Sequence, residues 1–298
     1  MERTQLLKQT YKPEVPSRTR SMSTQRLVGH IVYYVLFTLM AAIVFVPILL
    51  VVFGSFKTNL ELAETSPFSL PQSFLHIDNY VSALKEGNMI RGLGNSVLLV
   101  VLSMLGNMLL GTMTAYVLNR FQFRMKKVIL MMFMAAMIIP AYTTEIARFQ
   151  LIHALGVYNT LGAPLLIYIG TDIMQIYIYM QFLEKISVQL DESAMLDGAS
   201  YVRIFRSIIF PLLLPATATL AILKSVTIMN DIFVQQLYMP SAKLATLATS
   251  LTAFVSTRSS DLSQLCAGII IVLLPSAIFY IVFQRYIFKG LMDGAVKG

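Results

Sequence analysis

Long apolar segments alternate with short polar segments along the whole chain after residue 30. A helix needs about 20 apolar residues to cross the ~30 Å hydrocarbon core of a bilayer. The apolar segments lack the period-2 alternation of barrel strands, so helices are the only plausible spanning form. The pattern predicts an all-α integral membrane protein with six transmembrane helices, at residues 31–53, 93–118, 128–142, 163–183, 212–233 and 265–283.

Composition supports membrane insertion and excludes two other classes. The 298 residues are 56% hydrophobic and 13% charged, whereas soluble domains carry about 25% charged residues. Cys266 is the only cysteine, so a disulfide-stapled secreted scaffold is excluded. The net charge of +8 is not arranged as a basic patch with interleaved aromatic residues, so we predict no nucleic-acid partner.

The positions of the basic residues predict the orientation. If the amino terminus is inside, 16 of the 23 Lys and Arg residues lie in inner segments, 6 lie in outer segments, and Lys224 lies within a span. Basic residues accumulate on the cytoplasmic side, so both termini are predicted to be cytoplasmic. The predicted parts are a basic amino-terminal tail, a transmembrane domain containing a polar cytoplasmic loop, and a carboxy-terminal tail, at residues 1–30, 31–289 (loop 187–211) and 290–298.

The motifs of common enzyme classes are missing from the sequence. It contains no GxxxxGK[ST] phosphate loop, no GxSxG and no HExxH. Its three histidines, His30, His76 and His153, do not have the spacing of metal ligands. We therefore predict no catalytic residue, no bound metal and no cofactor. Energy for any transport has to come from an ion gradient or from another subunit.

The polar loop between the fourth and fifth segments is predicted to contain two short helical pieces bent at Gly198. Before the glycine, Leu190 and Ala194 share one helix face, and glycine permits a positive φ at the bend. Pro211 suits the first turn of the fifth span. The pattern alone leaves two readings open, an interfacial connector and a docking surface. The apolar stripe after the bend consists of Val202, Phe205 and Ile209.

The same loop resembles the EAA loop of ABC importer permeases. Glu192-Ser193-Ala194, then Gly198, then Ile208 and Phe210-Pro211 have the spacing of that motif, with Ser193 and Phe210 as departures. The segments LDGAS, AYVLNRFQF and the final GAVKG resemble the maltose-type branch, which imports carbohydrates. The resemblance covers residues 31–298. A Met229-Asn230 pair stands where the family often has Trp-Asn.

The resemblance implies a set of partners. Such a permease is one of two membrane subunits, here expected as a heterodimer, that associate with two cytosolic ATPase subunits and an extracellular solute-binding protein. ATP is bound by the ATPase subunits, and the substrate is a sugar or oligosaccharide. The expected location is a prokaryotic plasma (inner) membrane, in contact with lipid. An ion-coupled secondary transporter that uses Asp172 and Lys224 is the alternative.

The resemblance also implies two contact regions for the ATPase. The EAA loop forms the coupling helices, and in the maltose-type branch the carboxy-terminal tail can approach the ATPase dimer. The coupling residues are expected to be Glu192, Ser193, Ala194, Asp197, Gly198, Ala199, Ile208 and Pro211. The tail contact is expected to involve Gly294, Ala295, Val296, Lys297 and Gly298.

Two charged residues interrupt the predicted spans. Asp172 and Lys224 each cost ~2.5–3.5 kcal/mol in hydrocarbon on insertion scales. They lie at similar depths on consecutive spans, which suggests an ion pair. The pair belongs either to a polar translocation path or to the internal structure of the bundle. The candidate path residues are Asp172, Lys224, Asn230, Asp231 and Tyr177.

Overall fold

The computed structural model describes residues 24–256 and 261–295, and within these ranges every regular element is helical. Residues 1–23 of the predicted amino-terminal tail lie outside the described residues. The first helix begins at Thr24, so residues 24–30 are helical. The helices are α1 Thr24–Phe56, α2 Asn59–Glu64, α3 Asp78–Glu86, α4 Met89–Arg120, α5 Lys126–Ile138, α6 Glu145–Ala154, α7 Gly162–Ile169, α8 Ile173–Glu184, α9 Val188–Leu196, α10 Tyr201–Ile204, α11 Phe210–Asn230, α12 Phe233–Tyr238, α13 Thr252–Ser256 and α14 Leu262–Ala295.

Four helices in the described residues are long and apolar enough to cross a membrane individually: Gly29–Phe56, Met89–Arg120, Tyr201–Asn230 and Leu262–Gln284. The predicted third span, residues 128–142, corresponds mainly to the first helix of a bent pair, Lys126–Ile138 with Tyr142–Ala154. The predicted fourth span corresponds to the bent pair Gly162–Ile169 with Ile173–Glu184, so the count reaches six only if each pair crosses once. In the third, Pro140 follows α5 and holds Ile139 in an extended conformation, as the residue before a proline prefers. In the fourth, α7 and α8 meet at 45°.

The chain divides into two units, residues 1–49 and 50–298. In the first unit the described part is the beginning of α1, which has the highest mean hydropathy of the long helices. In the second unit α4 packs against α7, α8 and α11, and α14 packs against α11 and α3. Buried residues from α4, α8, α10 and α11 form a core next to the polar loop, including Ala115, Ile176, Leu183, Ile204 and Leu213.

Two glycines let the neighbours of α4 approach its backbone. A Cβ added at Gly106 would lie 2.8 Å from Cγ1 of Ile169, at the end of α7. A Cβ added at Gly111 would collide with the side-chain amide of Gln175 on α8. These two glycines therefore determine how closely the bent pair α7 and α8 lies against α4.

We expect Gly106→Ala to destabilise the protein, because the added methyl group displaces Ile169 from its packing position. Overpacking of this kind costs about 1–3 kcal/mol. Gly94→Ala is the matched control on the same helix, since a Cβ there meets nothing within 4 Å and alanine favours the helix. Thermal unfolding in detergent measures both. Equal shifts in melting temperature for the two variants would contradict close packing at Gly106.

Candidate functional site

The break between α7 and α8 lies against the middle of α4 and is stabilised by side-chain hydrogen bonds. Nδ2 of Asn107 donates to the carbonyls of Tyr168, Ile169 and Gly170 at 3.2, 3.3 and 2.7 Å. These carbonyls end α7 and have no partner in the next helical turn. Asn107 therefore satisfies a helix end that would be costly to leave unpaired inside a membrane protein.

Asp172 begins the second half of the broken pair. Its Oδ1 accepts a hydrogen bond from the backbone N–H of Gln175 at 2.9 Å and so caps the amino terminus of α8. Its Oδ2 lies 3.8 Å from Nζ of Lys224 on α11. The side chains of Asp172 and Lys224 are 56% and 26% exposed. The predicted ion pair is confirmed, and one carboxylate both caps a helix and pairs with the lysine.

The ion pair borders a cavity of about 320 Å³, near the lower end of the range for ligand pockets. It combines ammonium, carboxylate, amide and hydroxyl groups with an apolar surface. Its lining consists of Asn107, Asp172, Met174, Gln175, Ile178, Leu220, Leu223, Lys224 and Thr227. Such a lining can donate hydrogen bonds to a hydroxyl-rich ligand and accept hydrogen bonds from it.

Sequence reasoning missed three polar residues of this lining: Asn107, Gln175 and Thr227. Gln175 follows Asp172 by three positions and Thr227 follows Lys224 by three, so helical spacing from the two charges could have identified both. Asn107 has no such signal, because it comes from a distant helix. Nε2 of Gln175 donates to Oδ1 of Asn107 at 2.8 Å, which joins α8 to α4 beside the cavity.

The other candidate path residues do not line this cavity. The Tyr177 hydroxyl accepts a hydrogen bond from Gln181 at 2.6 Å. Nδ2 of Asn230 donates to the carbonyl of Val226 at 2.8 Å, one turn earlier in α11. Asp231 accepts hydrogen bonds from the hydroxyl of Tyr168 at 2.8 Å and the backbone N–H of Val234 at 3.0 Å. Their role in a path stays a prediction.

The polar loop is bent at Gly198, as the pattern predicts. Helix α9 ends where Gly198 adopts φ +79°, a left-handed conformation that favours glycine. Its N–H donates to the carbonyl of Met195 at 3.0 Å. The next helical piece begins after Ser200, whose hydroxyl accepts from the N–H of Arg203 at 3.4 Å.

The second piece is not separate from the fifth span, contrary to the prediction. Helix α10 continues through a π-helical turn, Phe205–Ile209, directly into α11. Pro211 follows the π-helical turn and has no N–H to donate. The change in hydrogen-bond register at the turn therefore leaves fewer backbone N–H groups without a partner. The loop after Gly198 and the fifth span therefore form one helix, Tyr201–Asn230.

Most of the proposed coupling residues are accessible in the described chain. Glu192, Ser193, Asp197, Gly198 and Pro211 are exposed. Residues Ala194, Ala199 and Ile208 are half-buried. Nearby apolar side chains are also uncovered, with Leu196 90% exposed and Val202 75% exposed.

The structure shows which face of α9 is buried, a point that the periodicity left open. Leu190, on the face that it shares with Ala194, is 44% exposed, whereas Asp191 is buried. The reason is Arg120, the last residue of α4, whose Nε lies 2.7 Å from Oδ2 of Asp191. A charged partner in the core turns the carboxylate inward and the leucine outward.

The carboxy-terminal contact is only partly within the described residues. Helix α14 continues through Gly294 and Ala295. Val296, Lys297 and Gly298 lie outside the described residues.

The loop, the broken span and the cavity all lie within a region that matches a known protein family. Residues 107–292 match the family described as the binding-protein-dependent transport system inner membrane component. The chain belongs to this family. The permease is thus a multi-pass inner membrane component of a bacterial ABC transporter.

Named relatives of the permease match over nearly their whole length. It is 34% identical over 255 residues to the probable starch degradation products transport system permease protein AmyC of Thermoanaerobacterium thermosulfurigenes, covering 84% of this chain and 91% of the relative. It is 30% identical over 279 residues to the galactooligosaccharides transport system permease protein GanQ of Bacillus subtilis, covering 93% and 99%. Both relatives are transport system permease proteins, one named for starch degradation products and the other for galactooligosaccharides.

A solved structure has the same fold. A chain in the crystal structure of a bacterial ABC transporter involved in the import of the acidic polysaccharide alginate superposes with a TM-score of 0.77. The match covers 89% of the permease and 98% of that chain at 22% identity. The fold and the family together favour the ABC permease over an ion-coupled secondary transporter.

Proposed function

We propose that the permease forms half of the translocation pathway of an ATP-driven importer for a neutral sugar or oligosaccharide. Membership of the inner membrane component family carries this proposal. The chain supplies a polar cavity beside a broken span and an exposed loop with EAA spacing. A second permease subunit, two cytosolic ATPase subunits and an extracellular solute-binding protein complete the transporter.

The cavity chemistry supports a sugar as substrate. Each sugar hydroxyl both donates and accepts hydrogen bonds, and the amides of Asn107 and Gln175 offer both functions. Lys224 adds donors and Asp172 adds acceptors, while their charges offset each other at 3.8 Å. A lining whose charges offset each other suits a neutral ligand. Relatives named for starch products and galactooligosaccharides support the same class.

The exposed loop supports coupling to an ATPase. Glu192 and Asp197 present negative charge, and Leu196 and Val202 present apolar surface, in one short stretch. ATP binding would close the ATPase pair, and loops docked on it would move with it. The spans then switch between inward-facing and outward-facing states, provided that the contacts between the loop and the ATPase differ between these two states.

We expect uptake of a labelled oligosaccharide into vesicles to require ATP and the binding protein when the complete transporter is reconstituted. The test compares glucosides, galactosides and acidic alginate fragments as substrates. A non-hydrolysable ATP analogue is the control for hydrolysis, and ionophores that collapse proton and sodium gradients are the control for ion coupling. Uptake that stops with ionophores and continues without ATP would favour the secondary transporter instead.

A further inference from the structure

A buried ion pair joins the end of α4 to the first turn of α9. Nε of Arg120 lies 2.7 Å from Oδ2 of Asp191, and the two side chains are only 8% and 6% exposed. The other ion pairs within the described part of the chain are all more exposed. Neither residue belongs to the spacing of the EAA motif.

The guanidinium of Arg120 holds both sides of a bend in the chain. Its Nη2 donates to the carbonyl of Ile186 at 2.7 Å, in the short connection between α8 and α9. Its Nε forms the ion pair with Asp191, which lies just after that connection, although the two atoms are not aligned as a hydrogen bond. The hydroxyl of Tyr116, one turn earlier in α4, lies 3.4 Å from Oδ1 of the same carboxylate. The end of α4 thus clamps the start of the coupling loop.

Stability alone is a weak reason for such a pair. Burying two charges costs desolvation energy, and apolar residues of similar volume are often as stable or more stable in the same place. An arginine offers fixed geometry instead, because its planar guanidinium donates a directed hydrogen bond to the carbonyl of Ile186 while its charge lies against Asp191. The contacts of Arg120 therefore favour control of orientation as its role.

The same helix reaches the cavity. Asn107, which holds the break between α7 and α8, lies thirteen positions before Arg120 on α4, or ~20 Å along the helix at 1.5 Å per residue. Glu192 is exposed next to the buried Asp191. One turn of α9 thus carries both an outward-facing docking residue and an inward-facing attachment to α4.

We propose that Arg120 and Asp191 are positioning residues that transmit movement of the docked coupling loop to α4 and, through Asn107, to the broken span at the cavity. This inference rests on the proposed ATP-driven function. Without the pair, α9 can move with the ATPase while α4 stays in place. ATP hydrolysis then continues without the matching change at the cavity.

The test measures sugar transported per ATP hydrolysed in vesicles that contain the complete transporter. The main variant is the double replacement Arg120→Met with Asp191→Leu, which puts apolar side chains on both sides and leaves no unpaired charge in the core. Its melting temperature, measured beside the wild type, shows that it is folded. Arg120→Lys is the second variant, because lysine keeps the charge but cannot reproduce the fork. Arg124→Lys, an exposed arginine in the following turn, is the matched control.

We expect the transport-to-hydrolysis ratio to fall about tenfold in both variants, a typical size for coupling between sites. The ATPase should still co-purify, and the control should keep the normal ratio. The inference is overturned if the ratio is unchanged, whether or not transport and hydrolysis fall together. Loss of ATPase co-purification also overturns it, since the pair would then shape the docking surface. Failure of the proposed function would give a different result, because the wild-type transporter would then take up sugar without ATP.

Discussion

Gly198→Pro is expected to abolish ATP-driven uptake while leaving membrane insertion intact. Gly198 has φ +79°, whereas proline is locked near φ −65°. The substitution also removes the N–H that donates to the carbonyl of Met195 at the end of α9. A mismatch of this kind costs about 3 kcal/mol or more in a helical context. The local bend between α9 and α10 cannot form, so the docking surface is lost.

A matched control exists elsewhere in the chain. Gly156 has φ +68°, and its N–H donates to the carbonyl of His153 at 3.0 Å, much as Gly198 does at its own helix end. Gly156→Pro imposes the same backbone strain away from the coupling loop. Uptake into vesicles, normalised to the amount of inserted protein, distinguishes the two variants. Full uptake by Gly198→Pro, or equal loss in both variants, would contradict a specific role for the coupling-loop bend.

Glu192→Lys tests the same surface without changing the backbone. The side chain is exposed, and within the described residues it makes no hydrogen bond or ion pair. Its reversal is therefore expected to affect docking and not folding. Co-purification of the ATPase subunits measures the effect, and normal melting temperature confirms that the variant is folded. An ATPase that binds the variant as well as the wild type would remove Glu192 from the docking surface.

Hydropathy predicted where apolar segments lie, but it could not predict where the backbone breaks inside them. The fourth segment was predicted as a span interrupted by Asp172. The structure shows two helices, because Asp172 caps one and Asn107 satisfies the end of the other. Hydropathy averages composition over a window and contains no information about a partner on another helix. The ion pair with Lys224 was predictable because an unpaired charge in hydrocarbon is costly.

The orientation of α9 shows a second limit of local pattern. Periodicity placed Leu190 and Ala194 on one face and Asp191 on another, but it did not predict which face is buried, and in the structure Asp191 is buried and Leu190 is exposed. Arg120 lies far away in sequence, and it was counted only as one of the basic residues that determine orientation. Its 2.7 Å contact with Asp191 outweighs the preference of one leucine for burial. The pairing of Arg120 with Asp191, two charges outside the predicted apolar spans, therefore needs the structure, whereas the bend at Gly198 follows from sequence alone.

Breaking the ion pair at the cavity from one side is expected to reduce uptake more than removing it from both sides. Asp172→Asn leaves Lys224 unpaired, and Lys224→Met leaves Asp172 unpaired. Asparagine keeps an oxygen that can accept the hydrogen bond from the N–H of Gln175, so the cap of α8 survives in this variant. Any loss therefore reports on charge and not on the end of the helix.

Each single variant should lower the uptake rate about tenfold, and the double variant should recover part of that loss, since contacting residues are not additive. Lys243→Met, at an exposed lysine outside the cavity lining, controls for removal of a positive charge. If the double variant loses the product of the two single effects, Asp172 and Lys224 act independently during transport. Recovery would instead show that their pairing at 3.8 Å matters during transport, because a double variant that is faster than either single variant requires that the two residues be coupled.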